Sequence, residues 1–539
     1  MSQMTFLIPS VTLPFTVAAE EAIAVARRQM RKAGLPPASY TYRIYRRSVD
    51  ARKRDLIRFV YSVAVCGDFS IKDRERMQRA GYQPVKDGEP NVTTGEEALC
   101  ERPVVVGTGP AGLFCALLLA EHGFSPLVLE RGGTVEERLL ATERFRRERI
   151  LDPENNVQFG AGGAGTFSDG KLVTRVNHPW NGYVLSRLVS FGAPPEIAYL
   201  AKPHVGTDIL QTVVSRMLSA IVAAGGEVRY HARLADIRCD ATGSVRRVIL
   251  GDGEEIPCGL LVLAVGHSAR DTYEMLLSHG AAVEAKPFSV GLRIEHLQQD
   301  IDRAMYGDFA GHPLLGHAEY TLSDRTGARG VYTFCMCPGG EVVPAASEIG
   351  GVVVNGMSEH ARGERNANAA IAVSVEPADF GSTPQGAIAF QRRIEQEAFR
   401  VAGSDYSAPS ALLGDFLAGK EGGLPSRILP SYMSGGVCMA SPDRYLPSFV
   451  TDSLRYAIPR FASRIEGYDV GDAVLTGPET RTSAPVRILR HEKERTAIGM
   501  GNLYPAGEGA GYAGGITSAA LDGLATAVSI IARYKRPHR

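Results

Sequence analysis

The pattern of apolar and polar positions divides the chain into successive structural units. In the first, residues 1–95, Thr5 to Pro14 reads as a strand. From Ala18 to Ala33 the apolar residues Ala22, Ile23, Ala26 and Met30 recur at helical spacing, and the run stops at Gly34 before Pro36 and Pro37. Tyr40 to Ser48 and Ile57 to Val65 return to a strand pattern across a charged turn. This β-α-β-β order predicts a small ferredoxin-like α+β domain, and the polar stretch Asp87 to Glu97 reads as the linker that follows it.

Beyond the linker, strands alternate with helices, the mark of an α/β fold. Val104 to Val106 is a short β-branched run leading through a glycine turn into a helix from Pro110 to His122, then a second strand, Pro126 to Leu129. An Arg/Glu-rich helix (Val135 to Ile150), a helical run (Ile209 to Ala224) and strands at Glu227 to Ile237, Arg246 to Leu250 and Leu260 to Val265 complete residues 100–286. Residues 287–470 mix strands with a helix near Ala387 to Ala402, a pattern that predicts an α+β substrate or cap domain. Residues 471–539 hold a second glycine loop and an apolar helix, Ser518 to Arg533, and are expected to return to the domain begun at 100.

Composition adds little until glycine is counted. The chain has 539 residues, 44% of them hydrophobic, with 59 Lys plus Arg balanced by 59 Asp plus Glu. No global field draws it to nucleic acid or to a membrane surface. Its 59 glycines cluster near 107–112, 160–170 and 507–515, as expected where backbone approaches a ligand. Eight scattered cysteines do not make a disulfide scaffold. The first residues lack the basic and apolar regions of a secretory signal, and no uninterrupted apolar stretch of about 18 residues predicts a transmembrane helix. A cytoplasmic enzyme is the expectation.

The sequence Gly107-Thr108-Gly109-Pro110-Ala111-Gly112 follows a strand and opens a helix. Gly107 suits the tight turn, Gly109 lets backbone approach a pyrophosphate, and Gly112 allows close helix–strand packing. Amide hydrogens at the helix start face the phosphates. Glu130 ends the second strand and is placed to accept from an adenosine ribose hydroxyl, with Arg131 beside it. An acid here argues against a 2′-phosphate, leaving FAD or NAD. Late in the chain, Asn502 to Ile516 (NLYPAGEGAGYAGGI) reads as strand, acid, glycine loop and helix start. Gly507 and Glu508 would meet ribityl or pyrophosphate oxygens. Amides at Gly515 and Ile516 would lie where reduced flavin gathers negative charge.

The segment around Leu234 resembles the strand that contacts adenine in two-dinucleotide-binding flavoproteins, and Leu260 to Gly266, with Ala264 and Gly266, resembles the strand by which their chain returns to the FAD domain. Together GPAGLFCALLLAEHG, FGAGGAGTFSDGKL, KPFSVGLRIEH, FCMCPGG, VVNGMS, TGPETRTSAPVRI and LYPAGEGAGYAGGI resemble the bacterial family of uncharacterised FAD-dependent dehydrogenases, also known as NAD(P)/FAD-dependent oxidoreductases. The likeness spans nearly the whole chain. It implies a Rossmann-like FAD-binding domain of glutathione-reductase type, interrupted by a substrate domain, with non-covalent FAD and no particular substrate. One departure is Pro478, where the family pattern TGVETR has valine; it is expected to alter the turn leading to Arg481.

The loop Gln158 to Lys171 is expected to line the flavin through Gly163 and Thr166, with Lys171 or Thr166 near a ring edge; a flexible surface loop is the competing reading. Arg481 reads as a substrate or flavin ligand, with Glu479 as its orienting partner or as a general base, against a structural salt bridge at a domain junction. Tyr432 is a candidate proton donor and His267 a candidate flavin neighbour. Cys335 and Cys337 lack the second cysteine pair of a zinc site, so no metal is expected, and buried thiols near the active site are favoured over a catalytic thiol. The basic hairpin containing Arg52, Lys53 and Arg54 is either a docking patch for RNA or an acidic redox partner, or a solvated surface, with the solvated surface favoured.

The function expected is an FAD-dependent oxidoreductase passing hydride between a small organic substrate and flavin N5, with transient NAD(P)H or a protein partner as electron source. Two alternatives stand: a flavoenzyme without net redox change (lyase, hydratase or isomerase), and an FAD-containing sensor that binds RNA or protein. Membrane and nucleic-acid partners are disfavoured.

Overall fold

The computed structural model describes residues 4–537. The N-terminal unit contains β1 (Met4–Pro14), α1 (Ala19–Lys32), β2 (Thr41–Asp50), β3 (Arg58–Gly67), α2 (Ile71–Arg79) and β4 (Gln83–Pro84). Its strands form one antiparallel sheet in the order β2-β3-β1-β4. The pattern showed the first four elements and missed α2 and β4. Met77 is the sole buried residue of α2, so apolar periodicity hardly marks that helix. A capping box does: the Ser70 hydroxyl accepts from Asp73 N–H, and the Asp73 carboxylate accepts from Ser70 N–H. The stretch read as a linker is tied down by its backbone. Gly88 N–H donates to the Pro179 carbonyl at 3.0 Å, Gly95 N–H to Ile531 at 2.8 Å, and Lys535 N–H to Glu97 at 2.8 Å.

The next segment supplies β5 (Pro103–Val106), α3 (Pro110–Glu121), β6 (Leu127–Leu129), α4 (Val135–Glu148), α5 (Asn181–Ser190), α6 (Thr207–Ala223), β7 (Glu227–Arg229), β8 (Leu234–Cys239), β9 (Val245–Leu250), β10 (Glu255–Pro257), β11 (Leu260–Leu263), α7 (Arg270–Ser278) and β12 (Val283–Ala285). The strand expected at 227–237 is two. β7 extends a parallel sheet and β8 joins an antiparallel one with β9 and β10, and the chain turns between them at His231, whose φ is 54°.

A second layer holds β13 (Phe288–Leu297), α8 (Gln298–Tyr306), β14 (Ser323–Asp324), β15 (Val331–Cys337), β16 (Glu341–Pro344), β17 (Val354–Met357), β18 (Asn366–Val375), α9 (Pro384–Val401), β19 (Ala408–Leu412), α10 (Leu413–Ala418), β20 (Val437–Met439), α11 (Ser448–Ala462) and β21 (Val474–Glu479). The chain closes with β22 (Val486–Ile488), β23 (Leu503–Pro505) and α12 (Ile516–Arg533). β14-β15-β18-β13-β21-β19-β20 form one sheet. The division expected at 470 therefore falls too early, because β21 pairs with β13 and β19 in this cap sheet. Pro478 lies inside β21 rather than in a turn, and its peptide bond with Gly477 is cis.

The site is positioned by a parallel sheet ordered β23-β11-β5-β6-β7. β5, β6 and β11 are buried throughout, as strands covered on both faces must be. α3 is apolar on nearly every side because it lies between this sheet and α12. α12 is by length and composition apolar enough to cross a membrane, but it is interrupted by Asp522, and Leu521, Leu524, Ile530 and Ile531 are buried in the core shared with α3.

Candidate functional site

A cavity of ≈ 370 Å³ opens where β5, β6, β11 and β23 end, with Val106, Glu130, Ala264 and Ala506 in its wall. Ligands in open α/β sheets bind at this carboxyl edge. Two helix N-termini reach it: α3 through Gly109, Pro110 and Ala111, and α12 through Gly515 and Ile516. The first glycine turn does three separate things. Gly107 holds φ 98°, and a Cβ there would meet the Ala264 carbonyl. A Cβ on Gly112 would run into the Gly107 carbonyl, whereas one on Gly109 would meet nothing within 4 Å. Gly107 and Gly112 are required by packing, and Gly109 leaves open space beside free amides. A cradle of this kind fits a dinucleotide pyrophosphate.

The glycine loop opposite is pinned, contrary to the flexible-loop reading. Arg138 of α4, fully buried, donates to the carbonyls of Asn156 (2.8 Å), Val157 (2.7 Å) and Ala161 (2.7 Å), with its guanidinium 4.5 Å from the Phe167 ring centre. Burial without a carboxylate partner lowers its pKa to about 9. Gly163, Ala164, Gly165 and Lys171 line the cavity, but Thr166 does not. Its carbonyl accepts from Thr207 at 2.6 Å, and its hydroxyl is buried beside Gly162.

Leu234, Ala264, Gly266, Glu130 and Arg131 line the cavity as expected from sequence, joined by Arg233. Glu130 is heavily committed. One carboxylate oxygen accepts from Thr108 N–H (3.0 Å) and Oγ1 (2.5 Å), the other from the N–H of Gly132 (3.1 Å) and Gly160 (3.0 Å). It knits two glycine loops together as well as lining the cavity. Arg131 is held by Glu154 (2.7 Å) and Asp271 (3.1 Å). Gly507 falls outside the wall, and its N–H donates to Asp522 at 2.7 Å. Glu508 does line the cavity, and burial raises its carboxyl to about 7 against the pull of Lys286.

The cap contributes Phe334, Cys335, Asn355, Glu479, Arg481 and Thr482. Arg481 and Glu479 are neighbours in sequence, but their pairing differs from the expected one. Arg481 binds Glu395 of α9 through Nε (3.2 Å) and Nη2 (3.0 Å) and also donates to Ser347. Of the five N–H groups of a guanidinium, two remain. Glu479 binds Arg293 of β13 at 2.5 and 3.1 Å, and burial still raises it to about 7. Arg270 of α7 shares Glu395 and reaches Glu348 at 2.7 Å. His267 lines the wall, and burial together with Arg481 and Arg270 lowers it to about 3, so its ring is neutral. Lys171 is paired with Asp169 (3.1 Å) and Glu319 (3.6 Å), and Arg362 binds both acids.

Tyr432 lies outside the cavity. Its hydroxyl donates to the Tyr406 carbonyl at 2.9 Å, and burial drives its pKa far up, so it is a core residue and not a proton donor here. Arg293, Arg270, Glu395 and Arg362 were missed. Arg293 alone carried a signal, a charge inside the apolar run FSVGLRIEHL; the other partners come from remote segments. Among the described residues no group of three or more His, Cys, Asp or Glu residues could hold a metal.

The model described as "FAD-dependent protein, C-terminal domain-like" matches residues 287–482, so its end falls just past β21. A model for an NAD(P)-binding Rossmann-like domain matches 105–136, and one for a domain of unknown function matches 8–66. An "Uncharacterized protein" of Clostridium beijerinckii is 45% identical over 502 residues, 92% of this chain and 93% of that one. A menaquinone reductase of Mycolicibacterium smegmatis is 26% identical over 181 residues, 32% of this chain and 39% of that one. Among solved structures, a mutant of the halogenase PltM in complex with FAD is 12% identical, covering 79% of this chain and 67% of that one, with a TM-score of 0.35. A geranylgeranyl bacteriochlorophyll reductase-like protein from Thermoplasma acidophilum is 14% identical, covering 79% and 77%, with a TM-score of 0.34.

Proposed function

The chain belongs to the FAD-dependent protein family that includes the Clostridium relative, with FAD as cofactor, and from that premise we propose that it is an oxidoreductase exchanging hydride between flavin N5 and a small organic substrate. The FAD domain is of glutathione-reductase type, the N-terminal unit is ferredoxin-like, and the cell compartment is the cytoplasm. The carrying observation is that one cavity continues from the glycine cradle to a wall of cap residues. The flavin, when bound, supplies the two-electron chemistry.

The remaining roles belong to this chain. α3 and the loop 158–171 would hold the pyrophosphate, Leu234 would lie at the adenine end, and the amides at the start of α12 would face the flavin ring. Arg481 and Lys171, each ion-paired, set a fixed field at the ring and do not clamp substrate freely. Glu479, with a pKa near neutrality, holds or gives up a proton beside the substrate. NAD(P)H binds transiently as electron source, or a protein redox partner docks on the N-terminal unit.

Anaerobic mixing with NADH and with NADPH, followed at about 450 nm, tests this reading. Bleaching by either is the expected result. A flavin that neither nucleotide reduces leaves a protein partner as electron source, and turnover by prereduced protein whose flavin is still reduced afterwards overturns the reading in favour of an enzyme without net redox change.

A further inference from the structure

Cys335 and Cys337 sit on β15 where its pairing with β18 slips. Phe334 faces Ala370 and Cys337 faces Asn368, so one residue is extra on the β15 side. Cys335 takes φ 45°, a conformation rare outside glycine, and lies in the wall of the flavin cavity beside Phe334. Cys337 lies directly behind it, fully buried, and its thiol donates to the Cys335 carbonyl at 3.3 Å. Arg293 ties the bulge down from the other side. It donates to the Cys335 carbonyl at 2.7 Å, approaches the Cys337 sulfur at 3.9 Å, and binds Glu479. A strained residue, a second thiol and a fixed cation thus meet at the reacting end of the cavity, and the roles assigned above to the flavin site use neither sulfur.

We propose that Cys335 and Cys337 form a reversible dithiol–disulfide pair that exchanges two electrons with the flavin of this cavity. The inference rests on the FAD reading. In the forward direction the two S–H bonds break, one S–S bond forms, and two electrons pass to the oxidised isoalloxazine. Of the two protons released, one goes to the Glu479 carboxylate and one accompanies the electrons. The neighbouring Cys337 side chain, and after it Arg293 and Lys171, lower the Cys335 thiol, which favours the thiolate that such exchange needs.

The first test needs no flavin. Protein as purified is oxidised with diamide, quenched in acid and mapped by mass spectrometry. The expected product is a peptide with Cys335 joined to Cys337, absent from Cys335→Ser and Cys337→Ser. Holoprotein is then oxidised and titrated anaerobically with dithionite. Wild type should take up about four electrons per flavin, and Cys337→Ser about two. Absence of the joined peptide overturns the pair. A wild type that takes up only the flavin's own electrons overturns the exchange. Failure to bind FAD at all would sink the cofactor reading while leaving the peptide map to stand or fall separately.

Discussion

Gly109 and Gly112 stand three residues apart and meet opposite surroundings. A side chain at Gly109 would enter open cavity, so Gly109→Val should abolish flavin retention while leaving the apoprotein's urea midpoint nearly unchanged. At Gly112 even a methyl group meets the Gly107 carbonyl, so Gly112→Ala should cost about 1–3 kcal/mol of stability in the same assay. Glu508 carries a pH prediction. Its folded value of about 7 lies above the ordinary 4.5, so the folded state holds the proton more tightly than the unfolded chain. The stability this provides is full below pH 4.5, falls as pH rises through the interval, and levels off above about 7, a loss of at most about 3 kcal/mol because the cavity admits water. Urea midpoints of apoprotein across this range should decline, and Glu508→Gln should flatten the decline. Single glycines and acids at fixed offsets were legible in the sequence because turn and helix-start chemistry is local. The partner of Arg481 was not: β21 ends at Glu479, which stays with Arg293 of the neighbouring strand, whereas Arg481 lies in the irregular run beyond it and meets Glu395, which arrives from a distant helix.

Elements are joined here by buried charge. Arg270 of α7 and Glu395 of α9 are each 1% exposed, and Arg481 shares the same carboxylate. Removing Glu395 leaves Arg481 without a carboxylate and Arg270 with Glu348 alone. Glu395→Gln should therefore lower stability by about 3–5 kcal/mol in urea unfolding, far more than loss of the exposed Arg28–Glu21 pair would. α4 shows the same logic: it is rich in Arg and Glu, yet Arg138 turns inward and serves as the scaffold of the glycine loop. Apolar spacing revealed α1 and α6, an apolar run α12, and the glycine turn after β5 revealed α3. Pattern failed at α2, which buries one side chain, and at the junction of β7 and β8, where the strand-like run EVRYHARLADI conceals a change of sheet.

Across the whole molecule, the N-terminal unit is docked rather than tethered. Arg47 of its edge strand exchanges backbone hydrogen bonds with Tyr199 (2.7 Å) and Ala201 (2.8 Å), and Phe15 packs edge-on against Phe309 of the cap at 5.2 Å. No residue of 4–95 lines the cavity. A chain beginning near residue 87 should keep its flavin absorbance but melt at a lower temperature, and loss of the flavin with the domain would show that its docking shapes the site. The sequence by itself determined the dinucleotide turn, the C-terminal glycine loop and the order of strands and helices, because each depends on neighbours within a few residues: turn dihedrals, capping and apolar periodicity. Only the tertiary structure decided which acid holds Arg481, that Tyr432 is core, that β21 belongs to the cap, and that Cys335 lines the cavity with Cys337 buried behind it. Those outcomes depend on which remote segments burial brings together, and burial is a property of the packed chain.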